Sequence, residues 1–329
     1  MTNPHDILDF LLQEVQTPAL FLRAQPHPAL TAGQWSCYQP FKPLADKLLA
    51  LGLSTSTHLG EVPTAPHMAL MGSRQKEENR ILLAHAARHL PDGGTLSAIL
   101  PNDLGAKTLE NDIKALFGQA VSASKHHARR ITTTRTNQTD LKLAAEWAAL
   151  ATAGDHGSGF ITAPGMFSWR KVDAGSALLA KHLPTNLSGK LADLCAGWGY
   201  LTFEALKNNP AISSADLYEA EHLALDCARL NLNGAAIPVA YHWADVTALP
   251  AKRQYDVIVC NPPVHDLHDG DVELGQRVVM QALAMGNPRS RIYIVANRRL
   301  PYEALLNQKC RRVTVLAEEN GYKVLEAHL

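Results

Sequence analysis

With 329 residues, 46% of them hydrophobic and 19% charged, the chain is long enough for two ordinary domains and too apolar to stay disordered. Its 31 lysines and arginines balance 31 aspartates and glutamates, which excludes a uniformly basic nucleic-acid coat and leaves a local basic patch as the route to RNA. No apolar run reaches bilayer length, the N-terminal MTNPHDILDFLLQE is acidic and amphipathic, unlike a secretory signal, and the five scattered cysteines show no zinc spacing, so a reduced, cytoplasmic, metal-free protein is expected.

In chain order, residues 4–22 carry Ile7, Leu8, Leu11, Leu12 and Val15 on one face and predict a helix. Residues 23–40 are rich in Pro, Gly and His and read as irregular. A helix over 43–53, a short strand over 67–71, a helix over 76–89, a buried strand over 95–100 and a helix over 105–117 follow. Segment 125–135, KHHARRITTTR, is basic and β-branched. Near residue 156 the composition changes at the glycine-rich HGSGFITAPG, which reads as a linker or turn region, so domains are expected at 1–155 and 156–329. Beyond it, helices over 172–183, 200–208, 222–231 and 274–285 alternate with strands over 191–195, 215–218, 239–243, 257–260 and 291–295. A hairpin around Asn320-Gly321 closes the chain. This pattern predicts an α/β fold, a doubly wound and mostly parallel sheet with a C-terminal antiparallel pair. The first half echoes it: GGTLSAILPNDLGAKTLENDI and RSRIYIVANRRLPYEALL share turn, strand, Asn and helix, which suggests an internal duplication.

The ends of the second half's strands are chemically uniform. The first reads LADLCAGWGY, an acid (Asp193) before a tight turn with Gly197 and Gly199 at a helix start. Cys195 stands where a dinucleotide loop would have its first glycine, and Asp193 would repel a phosphate, so a small ligand carrying positive charge is expected. The second strand ends at Glu219, placed to hold ribose hydroxyls. The third ends at Asp245, able to accept from an exocyclic amine. The fourth, YDVIVC, stops at Asn261-Pro262-Pro263, because neither proline can donate to a ladder. One polar strand end is an ordinary turn; a row of them along one sheet edge is a ligand site.

This order resembles the class I S-adenosylmethionine-dependent methyltransferases, and over most of the chain it is similar to the bacterial ribosomal RNA guanine-N2 methyltransferases of the RsmC and RlmG type. The residues that carry the likeness are GMFSWRKVDAGSALLAKHL, NPPVHD, IVANRRLPYEALL and NGYKVLEA. The resemblance implies a Rossmann-like methyltransferase domain preceded by a degenerate copy that binds RNA rather than cofactor. It implies S-adenosylmethionine as cofactor, held by Asp193, Cys195, Gly197, Gly199, Glu219, Asp245 and Asn261. It implies that Asn261 and Pro262 hold a guanine N2 amine, in 16S rather than 23S RNA, with ribosomal RNA or a subunit as partner, no membrane, and a monomeric state. Pro263, Val264 and His265 follow as substrate contacts, with Lys125, Arg129 and Arg130 on RNA phosphate. Val264 replaces the family's usual aromatic and Cys195-Ala196 its usual Gly-Cys. Asp266 reads as a helix cap, Phe167 as part of the pocket rim or core, and Trp198 as a cover for the glycine loop or core. Two rival readings are a protein glutamine-N5 methyltransferase, which usually has Tyr after the prolines, and a methyltransferase-like RNA-binding assembly factor.

Overall fold

Short apolar runs buried on both faces, each stopped by glycine, proline or a polar residue, dictate two sheets. The computed structural model describes residues 4–251, 254–263 and 269–329, in two units, Met1–Thr152 and Ala153–Leu329. The first contains α1 (Pro4–Leu12), β1 (Ala19–Leu22), β2 (Trp35–Tyr38), α2 (Lys42–Ala50), β3 (Ser54–Ser56), β4 (His67–Met71), α3 (Lys76–His89), β5 (Thr95–Pro101), α4 (Ala106–Phe117), β6 (Val121–Lys125), β7 (Ala128–Thr134) and α5 (Leu141–Ala149). The second contains β8 (Gly154–Asp155), β9 (Ile161–Thr162), α6 (Ala174–His182), β10 (Ser188–Leu194), α7 (Tyr200–Asn208), β11 (Ala211–Glu219), α8 (His222–Asn231), β12 (Val239–Trp243), β13 (Tyr255–Cys260), α9 (Asp269–Met285), β14 (Gly286–Asn297), α10 (Tyr302–Lys309), β15 (Arg312–Glu319) and β16 (Tyr322–His328). The division falls at 152/153 because β8 pairs with β9, which places residues 154 and 155 in the second unit.

The two sheets have one topology. Their orders are β3-β2-β1-β4-β5-β7-β6 and β12-β11-β10-β13-β14-β16-β15. Each is parallel except for β7 in the first and β16 in the second, which run antiparallel to both neighbours. Each ends in a two-residue hairpin with positive φ at both turn positions, His126 (53°) and His127 (55°) in one, Asn320 (50°) and Gly321 (82°) in the other. Only the Asn-Gly turn is legible in the sequence; two histidines are an unusual choice there.

In the second unit alternate residues of each central strand bury opposite faces. Ala192, Leu194, Ile258 and Cys260 pack with Val278, Val279 and Ala282 of α9 and with Tyr302 and Leu306 of α10. Leu191, Val257 and Val259 pack with Leu179 of α6, Leu201 and Ala205 of α7 and Leu225 and Ala228 of α8. Burial on both faces is why these strands read as continuous apolar runs.

Two expectations for the first half are corrected. The helix stops at Leu12, and Ala-Leu-Phe-Leu (19–22) is the central strand β1, entirely buried. A short buried run has no periodicity that separates strand from helix, and Pro18 breaks the helical reading. Residues 35–38, expected to be irregular, form β2. In the second half, β10 ends at Leu194, one residue earlier than expected, because Cys195 turns into the left-handed region (φ 61°).

Gly275 of α9 lies against the ring of Tyr302; a Cβ there would overlap the hydroxyl and stand 2.8 Å from Cζ. That hydroxyl is buried and has no hydrogen-bond partner among the described residues. Gly275→Ala should therefore destabilise the second unit by roughly 1–3 kcal/mol, as overpacking does, despite alanine's better helix propensity. Tyr302→Phe should be neutral or stabilising, because it deletes an unsatisfied buried hydroxyl, and should recover part of the Gly275→Ala loss. Denaturant unfolding of the single variants and the double variant measures both effects.

Candidate cofactor and substrate site

Parallel pairing aligns the strand ends. Leu194 of β10 lies opposite Tyr218 of β11 and opposite Cys260 of β13, so Cys195, Glu219 and Asn261 leave the sheet side by side. Between β10 and α7 the chain turns through three left-handed residues, Cys195 (φ 61°), Gly197 (53°) and Gly199 (87°). Gly199 has a second reason to be glycine: a Cβ there would come within 3.3 Å of Ala228 and Leu232. At Gly197 a Cβ would meet nothing within 4 Å, so the loop faces open space on that side.

Glu219 organises this loop. Its Oε2 accepts from the Gly197 N–H (2.7 Å) and its Oε1 from the Glu221 N–H (2.8 Å). Burial raises its pKa, against the backbone N–H groups that lower it. A carboxylate accepts about four hydrogen bonds, so beyond these two N–H groups and that of Ala220 some acceptor capacity remains for a hydroxyl. Asp245 accepts at Oδ1 from the Thr247 N–H (2.8 Å) and Oγ1 (2.7 Å).

Asp193 behaves differently from a rim residue. It is 0% exposed, beneath the loop. Its Oδ2 accepts from the N–H (3.1 Å) and the hydroxyl (2.7 Å) of Thr202, tying β10 to the first turn of α7, while Oδ1 has no partner among the described residues. Burial pushes its pKa up to about 7, the Thr202 bonds opposing that rise. A half-satisfied acid under the loop favours a cation above it. Cys195 packs its thiol on that of buried Cys260, whose pKa is held well above the ordinary value by burial first and by this contact second. Cys260 is therefore not an activated nucleophile.

Asn261 is held from outside its own strand. Its Nδ2 donates to Asp173 Oδ2 (3.0 Å) and to Ser176 Oγ (2.8 Å), and Asp173 also caps α6 by accepting from the Ser176 N–H (2.8 Å). Segment 153–172 is likewise fastened to the loop. Asn231 of α8 donates to the carbonyls of Ile161 and Trp198 (2.9 Å each) and accepts from the Ile161 N–H (2.7 Å). Trp198 is buried in a cluster with Phe160, Met166 and Cys227, whereas Phe167 is 57% exposed. Sequence reasoning missed Asp173, Ser176 and Asn231; the Asp-x-x-Ser spacing signals a helix cap and nothing more.

Pro262 is buried and Pro263 partly so. Val264, His265 and Asp266 lie outside the described residues. In the first unit, Arg129 and Arg130 have internal partners. Arg129 donates to Glu110 (2.5 Å), which also accepts from Lys114 (2.6 Å). Those bonds, Lys114 first, hold the Glu110 carboxyl at about 2 against the burial that would raise it. Arg130 donates to the Phe10 carbonyl (2.7 Å), pairs with Glu14 (3.4 Å) and lies 4.4 Å over the Phe10 ring. Lys125, at the end of β6, is exposed.

The profile of the methyltransferase small domain matches residues 157–326, more than half of the chain. The chain belongs to the methyltransferase small domain family. Among curated relatives, the ribosomal RNA small subunit methyltransferase C of Shewanella pealeana is 30% identical over 73% of this chain and 70% of its own. That of Psychromonas ingrahamii is 25% identical over 88% of this chain and 84% of its own. Among solved structures, the Thermus thermophilus 16S rRNA N2 G1207 methyltransferase (RsmC), in complex with AdoMet and guanosine, superposes with a TM-score of 0.82 at 22% identity, covering 98% of this chain and 91% of that one. The likeness therefore spans both units of this methyltransferase.

Shared topology allows the two units of this family member to be compared position by position. Leu22 pairs with Tyr38 and Leu70 as Leu194 pairs with Tyr218 and Cys260, so Phe21, Gln39 and Met71 stand where the second unit has Asp193, Glu219 and Asn261. The backbone survives: Arg23 (φ 55°) turns left-handed like Cys195, and the Ala24 N–H reaches the Tyr38 carbonyl (3.1 Å) as the Ala196 N–H reaches that of Tyr218 (3.1 Å). Gln39, 1% exposed, accepts from the Phe41 N–H (3.0 Å) but turns its amide nitrogen onto the Ala24 carbonyl (2.7 Å). A donor closes the place where Glu219 keeps acceptors.

A raised carboxyl pKa sets the sign of a pH effect. Unfolded Asp193 ionises near 4 and folded Asp193 near 7, so stability is lost as pH rises between these values and is level above them. Asp193→Asn keeps an acceptor for Thr202 and should raise the melting temperature at pH 7.5 but hardly at pH 4.5. A cation bound over the loop should lower the Asp193 pKa and expel about half a proton at pH 7. Calorimetry of S-adenosylmethionine binding in two buffers of different ionisation enthalpy reads that release, which Asp193→Asn should abolish.

Proposed function

We propose that this protein methylates the exocyclic N2 of a guanine in 16S ribosomal RNA, using S-adenosylmethionine. The reading rests on one observation: the neighbouring strands β12, β11, β10 and β13 of the second unit carry Asp245, Glu219, Asp193 (buried beneath the loop) and Asn261 at or near their carboxyl ends, while the same register in the first unit carries Gln39, Phe21 and Met71. The two small-subunit relatives and the guanosine-bound structural neighbour support the choice of nucleic acid and base.

The residues fit this cofactor. Spare acceptor capacity on Glu219 suits a ribose hydroxyl, Oδ2 of Asp245 suits an adenine amine, and the open face of the loop at Gly197 suits the methionine part. Oδ1 of buried Asp193, without a partner among the described residues, supplies negative charge beneath it. When bound, S-adenosylmethionine supplies an electrophilic methyl: the N2 lone pair forms the C–N bond, the C–S pair stays on sulfur, and N2 then loses a proton to water. Asn261 Oδ1 and the Pro262 carbonyl accept the two N2–H bonds and hold the amine in line. Positioning of this kind contributes up to roughly 7–11 kcal/mol in favourable cases.

Mass spectrometry of rRNA nucleosides from cells lacking the protein should show one N2-methylguanosine lost from 16S RNA, restored by the purified protein; an unchanged profile overturns the assignment. Asn261→Ala should slow single-turnover methylation about a hundredfold with cofactor affinity nearly intact. Glu219→Ala should weaken cofactor binding by about 1.5–3 kcal/mol, one to two orders of magnitude in Kd. Cofactor titration should give one site per chain, in the second unit.

The first unit is assigned to RNA contact, and the protein to a cytoplasmic monomer. With Arg129 and Arg130 internally paired, Lys125 is the exposed cation of the 125–130 segment and a phosphate contact. Lys125→Ala should reduce the slope of log affinity against log salt by about one and leave stability unchanged. Arg129→Ala should instead destabilise the fold by about 1–3 kcal/mol, because it strips a buried carboxylate of one partner. Filter binding across a salt series and thermal melts separate the two.

A further inference from the structure

We propose that Asp173 and Ser176, at the start of α6, are positioning residues that fix the orientation of the Asn261 amide; the consequence for rate rests on the methyltransferase reading above. An asparagine side chain is nearly symmetric in shape, and rotation by half a turn exchanges its acceptor with its donor. At a site that must accept from an amine, the wrong orientation presents N–H to N–H. The strand and the prolines fix where Asn261 sits but not which way its amide faces.

Asp173 makes that choice. Its carboxylate can only accept, so the atom 3.0 Å from Oδ2 has to be the Asn261 nitrogen. The other amide hydrogen goes to Ser176 Oγ at 2.8 Å. With both hydrogens directed at α6, Oδ1 is turned to the opposite side. Ser176 alone could not decide, because a hydroxyl both donates and accepts. Asp173 is itself held: Oδ2 accepts from the Ser176 N–H (2.8 Å), and the chain beside it is packed so closely that a Cβ on Gly175 would lie 3.1 Å from that oxygen and 3.0 Å from the Tyr322 ring. A charge-assisted bond to Nδ2 also polarises the amide and strengthens Oδ1 as an acceptor. The pair is 88 residues apart in sequence, so the helix that precedes the first strand of the second sheet sets the chemistry at the end of its fourth.

Asp173→Ser separates orientation from folding. Serine is as good an N-cap as aspartate, so α6 keeps its start, but it is too short to reach Asn261. In the full chain, Asp173→Ser should lower the single-turnover methylation rate about tenfold to a hundredfold, with S-adenosylmethionine Kd and melting temperature close to the parent values. Asp173→Asn, whose side-chain oxygen the Ser176 N–H would still hold where it faces Asn261, should recover most of that loss. A second readout needs no activity: with 15N-labelled asparagine, the Asn261 side-chain amide of the parent should exchange slowly with water, and Asp173→Ser should accelerate that exchange. An unchanged exchange rate in Asp173→Ser overturns the proposal, as does a parent-like methylation rate or a rate loss matched by a fall in melting temperature. If the parent methylates no guanine, the functional reading fails, and the amide exchange still decides the orientation.

Discussion

Parallel pairing of β10 with β11 on one side and β13 on the other is the constraint on which the second unit depends. It is a backbone constraint, indifferent to side chains beyond their need to be buried, yet it fixes the positions of three polar groups to within one strand spacing. Glu219 and Asn261 come to flank the glycine loop because Tyr218 and Cys260 both lie opposite Leu194. The loop is then drawn onto Glu219 through the Gly197 N–H, and α7 onto Asp193 through Thr202. The carboxylates are thus structural acceptors first. Each keeps capacity beyond its structural bonds, and that surplus is what a ligand can use.

The first unit is an internal control for this view. It has the same strand order, the same left-handed turn after its first strand and the same backbone bond across the loop. What differs is polar surplus. Phe21 replaces a buried acid with a core side chain, Gln39 closes on the Ala24 carbonyl, and Met71 ends its strand without an amide or a proline. None of these changes disturbs burial on either sheet face, so the fold tolerates them. In the same unit Arg129 and Arg130 are held in internal pairs with Glu110 and Glu14.

Much of this was visible in the sequence, for local reasons. A strand buried on both faces reads as an apolar run, a proline pair or a Gly-x-Gly turn ends it abruptly, and Asn-Gly makes a hairpin. Hence the second sheet, the positions of Glu219, Asp245 and Asn261, and the tight turn at Gly197 and Gly199 follow from residue order alone, whereas the left-handed turn at Cys195 does not. Where local signals are thin the sequence misleads: a run of four buried residues, Ala-Leu-Phe-Leu, has no period, and the helical pattern of α1 runs on across β1.

Tertiary structure alone decided who partners whom. That Asp193 is buried with one oxygen unanswered among the described residues depends on α7 folding back over β10. That Arg130 belongs to the Phe10 carbonyl, across 120 residues, and that Asn261 is turned by Asp173, across 88, depends on helices laid against strands from distant parts of the chain. Propensity and periodicity act over a few residues and place a side chain on an edge or a face. Whether that side chain is then spent on the fold or left for a ligand is set by hydrogen-bond partners that sheet order and crossover connections bring in from elsewhere.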